Sequence, residues 1–165
     1  LLRQVKFSAS RIEVIYVCVN ELFRPTPKPA YQDGAKVKLL QIGTAPNKNI
    51  SRLADALKGN TSLKTLNLYH NKFGATGVKA LFEALEYNTS LEELNLKENY
   101  LGNSGGRVIA DGLNRTSIKT LDIGYCFIGD VGAQAITTAL KGNKSLTSLM
   151  FDNNKYSYDK DLFIV

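Results

Sequence analysis

From residue 63 onward the apolar positions change rhythm in a fixed order. In the stretch from Leu63 to Asn71 the leucines at 63, 66 and 68 stand apart from Lys64, Thr65, Asn67, Tyr69 and His70. The Leu66/Leu68 alternation is the period-2 mark of a half-buried strand. From Val78 the period lengthens: Ala80, Leu81, Ala84 and Leu85 fall together, with Lys79, Glu83 and Glu86 between them. That spacing predicts a helix with one apolar stripe, turned toward the strand. Gly74 and Gly77 mark the turn into the helix, and Asn88, Thr89 and Ser90 the way out, since such residues tolerate or locally bond turn backbone.

The pattern then returns. Leu63, Leu66, Leu68, Asn71, Phe73, Gly74 and Gly77 recur 28 residues on as Leu91, Leu94, Leu96, Asn99, Leu101, Gly102 and Gly105, followed by Val108, Ile109, Gly112 and Leu113 in the helix slots. A fixed period of this size predicts stacked supersecondary units. The next unit starts 27 residues on at Ile118 and runs through Leu121, Ile123, Cys126, Ile128, Gly129, Gly132, Ala135, Ile136, Ala139 and Leu140. Another opens with Leu146, Leu149, Phe151, Asn154 and Tyr156 and reaches Val165 where its helix would begin, as expected of a piece of a longer solenoid. A degenerate first unit places Val37, Leu40 and Ile42 in the strand slots, Ala45 in the asparagine slot, Pro46 in a shortened turn, and Ile50, Leu53, Ala54 and Leu57 on a helix. The division expected is a non-repeat segment, 1–35, and a repeat domain, 36–165, with units starting near 37, 63, 91, 118 and 146.

Asn71 and Asn99 sit among apolar positions, and an unpaired amide there costs about 1–3 kcal/mol. Stacking supplies partners, because each amide reaches loop backbone in its own and the neighbouring unit. The expected ladder is Asn71, Asn99, Cys126 and Asn154, with Cys126 a buried structural thiol. With these residues in place, 37–156 resembles a leucine-rich repeat protein of the ribonuclease-inhibitor type, whose repeat reads LxxLxLxxN/CxLGxxGxxxLxxxL. The resemblance implies an α/β fold: a short horseshoe arc with a parallel sheet on the concave face and helices on the convex face.

Residues 1–35 do not follow the repeat. Arg11–Phe23 is rich in β-branched and aromatic residues and suits a buried strand or a helix, and Arg24–Pro29 breaks any regular element with three prolines. The expected role is a cap over the first repeat or a docking arm that adds a strand to a partner. No apolar run approaches the roughly 20 residues that span a bilayer, and no signal peptide is visible. Cys18 and Cys126 show no metal-type spacing, which points to the cytoplasm or another reducing intracellular compartment. Five Asn-x-Ser/Thr sequons stand at Asn49, Asn60, Asn88, Asn114 and Asn143. Four of them repeat with the unit and read as turn chemistry.

The net charge of +6 is uneven: residues 1–38 carry seven Lys/Arg and three Asp/Glu, and the remainder is close to balanced. The basic residues are scattered without aromatic interleaving, which disfavours nucleic acid. On the stacked sheet the polar strand positions form columns. Lys64, Glu92 and Lys119 share one, with Glu93 beside them; Asn67, Asn95, Asp122 and Met150 make another; Tyr69, Lys97 and Asp152 a third; His70 and Tyr125 lie along the rim. Mixed charge with tyrosine anchors suits protein partners, and a hetero-oligomeric assembly is expected.

Catalytic, cofactor-binding and metal-ligating residues are not expected. His70 is the only histidine and occupies a slot filled elsewhere by Glu98 and Tyr125. The stretches GATG, GNSG and GDVG lack a P-loop lysine and recur with the unit, so they read as turns. The leading expectation is a non-catalytic protein-protein interaction scaffold, either free or a fixed subunit of a larger assembly. The repeat also resembles those of Ran GTPase-activating proteins, in which a loop arginine assists GTP hydrolysis; neither Arg107 nor Arg115 matches that role. Sensor repeats like those of NOD-like receptors, or an actin-end capper like tropomodulin, are further readings.

Overall fold

A computed structural model describes residues 46–154. In chain order it holds helix α1 (Pro46–Lys58), strand β1 (Thr65–Asn67), α2 (Ala75–Leu85), β2 (Glu93–Asn95), α3 (Gly102–Leu113), β3 (Thr120–Asp122), α4 (Asp130–Leu140) and β4 (Ser148–Met150). All four strands pair parallel in the order β1-β2-β3-β4. Register follows the repeat: Leu66 faces Leu94, Leu94 faces Leu121, and Leu121 faces Leu149. The segments starting at 63, 91, 118 and 146 therefore lie side by side. The readings placed on Val37, Leu40, Ile42, Cys18, Arg11–Phe23, the proline-rich linker and Tyr156 fall outside the described residues.

Three residues per strand suffice because pairing continues past the strand ends. The N–H groups of Leu68 and His70 donate to Asn95 O and Lys97 O at 2.8 and 3.0 Å, and those of Leu96 and Glu98 to Asp122 O and Gly124 O at 2.8 and 3.0 Å. Parallel strands stack about 4.8 Å apart, whereas packed helices need about 8–10 Å. The helical side must fan out, and the sheet side forms the inside of the bend.

One continuous core runs between the layers, built from Leu66, Leu68, Leu94, Leu96, Leu121 and Ile123 of the strand segments and Leu57, Leu81, Leu85, Ile109, Leu113 and Ile136 of the helices. Full burial of each such side chain contributes about 1.5–3 kcal/mol, which only stacking in register can collect.

The helices depart from the sequence reading in two ways. They begin about one turn before Val78 and its counterparts, so Gly77, Gly105 and Gly132 lie inside first turns rather than in the preceding loop. Their role is space. A Cβ on Gly77 would stand 3.0 Å from Phe73 Cβ, on Gly105 2.6 Å from Leu101 Cβ, and on Gly132 2.7 Å from Ile128 Cγ2. GATG, GNSG and GDVG are thus close-packed helix starts. The buried surface of each inner helix is also wider than one stripe: Val78 and Phe82 of α2 are fully or nearly buried, while Ala80 is only partly so. An inner helix is covered by the sheet and by both neighbouring helices. Phe82 reaches across to α3 where Gly112 leaves room, a Cβ there falling 2.7 Å from the ring.

Candidate protein-binding surface

Because the leucines of each strand point into the core, the residues between them point the other way, and the register lines them up. Thr65, Glu93, Thr120 and Ser148 form one column; Asn67, Asn95, Asp122 and Met150 form the next.

Most of the charge in these columns is engaged between neighbours. Lys64 Nζ and Lys119 Nζ grip the two oxygens of Glu92 at 2.9 and 2.8 Å. With two ammonium groups bonded to it, the Glu92 carboxyl falls to a pKa of about 2. Thr65 Oγ1 donates to Glu93 Oε2 at 2.9 Å. Further along, His70 Nδ1 lies 3.1 Å from Glu98 Oε2, and the hydrogen bond from Tyr69 to the same carboxylate holds the phenol above its ordinary range. Lys97 Nζ sits 5.1 Å from the Tyr125 ring centre, within cation–π range.

Asn67, Asn95 and Asp122 each engage the backbone of the following turn through one oxygen. Their Oδ1 atoms accept the N–H of Tyr69, Lys97 and Gly124 at 2.9, 2.9 and 3.0 Å, closing the turn that follows each strand. Met150 offers no oxygen for such a bond and is 40% exposed. Tyr69 and Tyr125 are exposed at 38% and 44%, so their rings remain available. Asp152 is exposed as well, its Oδ2 accepting from Asn153 Nδ2 at 2.9 Å.

The rim residues share a backbone state that the sequence does not announce. His70, Glu98, Tyr125 and Asn153 all have positive φ, between 54° and 58°, a region that non-glycine residues seldom occupy. Beside them stands an aromatic pair that the column reading missed, Tyr100 and Phe127, with ring centres 5.6 Å apart. Both follow the ladder residue directly, and that spacing was the available signal.

The ladder explains how the rim is held. Asn99 is fully buried; its Oδ1 accepts the N–H groups of Asn71 and Phe73 at 3.1 and 3.3 Å, while its Nδ2 donates to Leu68 O and Leu96 O at 3.0 and 2.7 Å. Asn154 repeats this on Cys126 N and Ile128 N at 2.8 and 3.2 Å, and on Ile123 O at 2.8 Å. Asn71 Nδ2 donates to Tyr69 O at 3.2 Å. Cys126 can only do half of this. Its Sγ donates to Leu96 O at 3.2 Å, but it supplies no oxygen to the preceding turn. Burial pushes its thiol up to about 12, so it stays protonated at neutral pH.

A second ladder lies at the other ends of the strands. Asn60, Asn88 and Asn143 each accept two N–H groups through Oδ1, from residues two and three further on. Asn88 Nδ2 also donates back to Leu57 O and Asn60 O at 2.7 and 2.8 Å. Asn114 stands apart because its loop is one residue shorter; it is exposed, and Thr116 Oγ1 donates to Leu113 O in its place at 3.1 Å. All four repeated sequons thus lie in turns, closed by the side chain's Oδ1 at Asn60, Asn88 and Asn143, while Asn114 Nδ2 donates to Ala139 O at 3.2 Å.

Among the described residues no cluster of His, Cys, Asp or Glu is arranged to hold a metal. Arg115 Nε is tied to Glu86 Oε1 at 2.7 Å, and Arg107 is an exposed residue of α3.

A Leucine Rich repeat family matches residues 59–82, 87–110 and 115–136. Among solved structures the chain is similar to leiomodin-1 actin-binding site 2, at 24% identity over 64% of this chain and 62% of that one, with a TM-score of 0.58. It thus spans less than two thirds of that structure's length. No curated protein matches. In architecture, then, the chain is a leucine-rich repeat solenoid.

Proposed function

We propose that the chain is a non-catalytic protein-protein interaction scaffold, part of a hetero-oligomeric assembly in the cytoplasm or another reducing intracellular compartment. The observation that carries this reading is the uncovered sheet face. Core packing engages the other side of every strand, and the exposed side carries columns of charge with Tyr69, Tyr125 and Met150 standing out of them. Exposed aromatics framed by polar groups are where protein interfaces concentrate their binding energy.

The compartment is supported by Cys126, a buried and protonated thiol. The Asn88 sequon is buried and its Nδ2 is engaged by two carbonyls, which suits turn chemistry at that site. No helix among the described residues is long and apolar enough to cross a membrane.

Photo-cross-linking in extracts of the native source tests the reading, with the reactive group placed at Tyr125 on the sheet face or at Asp111 on the helical face. Protein adducts formed from position 125 and not from 111 are expected; adducts confined to 111 would reject it. The likeness to an actin-binding site of leiomodin-1 makes filamentous actin the first partner to try, by co-sedimentation. GTPase activation of the Ran-activator type finds less support, since Arg115 is held by Glu86.

A further inference from the structure

We infer that the segment seated on this face is basic, an arginine- or lysine-bearing stretch of protein whose cation lies between Asp122 and Asp152. The inference rests on the reading of the sheet face as protein-binding and adds the chemistry of the partner. The chain as a whole carries +6, yet its sheet face bears five carboxylates, at 92, 93, 98, 122 and 152, against three lysines, at 64, 97 and 119. The sheet face is thus net negative on a chain that is basic as a whole.

Internal pairing then localises that charge. Lys64 and Lys119 both serve Glu92, and Lys97 lies over the Tyr125 ring. Glu93 and Glu98 are bonded by Thr65, Tyr69 and His70, and among the described residues Asp122 and Asp152 accept from Gly124 N and Asn153 Nδ2. Between the two carboxylates lies Gly124, in the slot that holds Tyr69 and Lys97 in the preceding units. The point where a Cβ would stand on Gly124 is 2.8 Å from Asp152 Oδ1 and 3.3 Å from Asp122 Oδ1. Two like charges thus converge above a bare floor.

A cation placed there relieves their repulsion, and a planar guanidinium can bond both carboxylates at once. The adjacent Tyr125 ring already accepts an ammonium group from Lys97, which is the contact a second cation would make on an exposed aromatic. Charge complementarity of this kind speeds encounter and selects the partner.

The test is fluorescence anisotropy of the full chain with a labelled arginine–glycine peptide and, in parallel, a glutamate–glycine peptide of equal length. Binding of the arginine peptide alone is expected, weakened by salt. The pair Asp122→Asn and Asp152→Asn should weaken it at least about tenfold, with folding retained because asparagine occupies the Asp122 slot at 67 and 95. Gly124→Lys should abolish binding while holding or raising the thermal midpoint, since it tethers an ammonium group where Lys97 stands one unit earlier. The control pair Asp111→Asn and Asp130→Asn, on the helical side, should change nothing. Equal binding of the glutamate peptide, equal loss in the control pair, or undiminished binding to Gly124→Lys would each overturn the inference. Should the arginine peptide fail to bind while cross-links from position 125 still capture protein, the basic assignment falls and the interaction reading stands.

Discussion

The side chain of Asn99 closes the turn that contains Asn71, accepting its N–H at 3.1 Å from the neighbouring unit. Each turn is therefore completed by the unit that follows it, and stability passes between units as nearest-neighbour terms. Asn99→Ala would strand the N–H groups of Asn71 and Phe73 and the carbonyl of Leu68 in a dry interior, and leave Leu96 O to the Cys126 thiol. A loss of about 3 kcal/mol is expected in urea unfolding, from a desolvation penalty of about 1–3 kcal/mol per abandoned group, partly relieved by relaxation. A loss under about 0.5 kcal/mol would mean the ladder is ornamental.

Cys126 breaks the ladder at one rung, and the turn before it is built differently. Where an asparagine follows, the residue after the ladder position has positive φ, Lys72 at 57° and Phe127 at 58°; in the turn of Asn99 the positive φ moves to Gly102, at 60°. The Gly102 N–H then reaches Cys126 O at 3.0 Å. Cys126→Asn restores the missing oxygen. We expect it to stabilise by about 1 kcal/mol and to move Tyr100 into the left-handed region, visible as a change in its NMR HN–Hα coupling. An unaltered coupling together with lower stability would show that the thiol does not govern this turn.

Acid should loosen the sheet face through one residue. Glu92 is held from its ordinary 4.5 down to about 2 in the folded chain, so its lysine contacts contribute stability above pH 4.5 that is lost as pH falls toward 2. Thermal midpoints of the native chain should decline more steeply over that window than those of Glu92→Gln, and added salt should narrow the gap. Parallel curves for the two proteins would contradict this.

Small residues at helix starts offer a sharper contrast. Gly105→Ala drives a Cβ to 2.6 Å from Leu101 Cβ and should cost about 1–3 kcal/mol as overpacking. Gly59→Ala meets nothing within 4 Å and should be neutral or stabilise by up to about 1 kcal/mol. The same denaturation experiment on both variants decides the matter: equal effects would place the role of Gly105 in backbone freedom and not in space.

How much of this was legible beforehand differs by element. Leu66, Leu94 and Leu121 declared the strands and their register, because a period of two on a repeat of 28 or 27 leaves no other in-register pairing. The helix starts were misplaced because glycine ordinarily signals a turn, and only the coordinates show Phe73, Leu101 and Ile128 pressed against Gly77, Gly105 and Gly132. The burial of Phe82 had no signal in the local period, because its cover comes from α3. The second ladder was present as Asn60, Asn88 and Asn143, but a sequon and a capped turn are spelled alike. At the candidate site, the columns were readable; which of their oxygens were already engaged by Tyr69 N, Lys97 N and Gly124 N was not.

The left-handed rim has one further outcome. Histidine, glutamate, tyrosine and asparagine occupy it with nearly the same torsion, though of these only asparagine and histidine are enriched in that geometry. Backbone shape there is held by the buried ladder side chains underneath, amides and the Cys126 thiol alike, and the outward group is free to vary. Recognition in such a protein can diversify one letter at a time, without renegotiating how the chain folds.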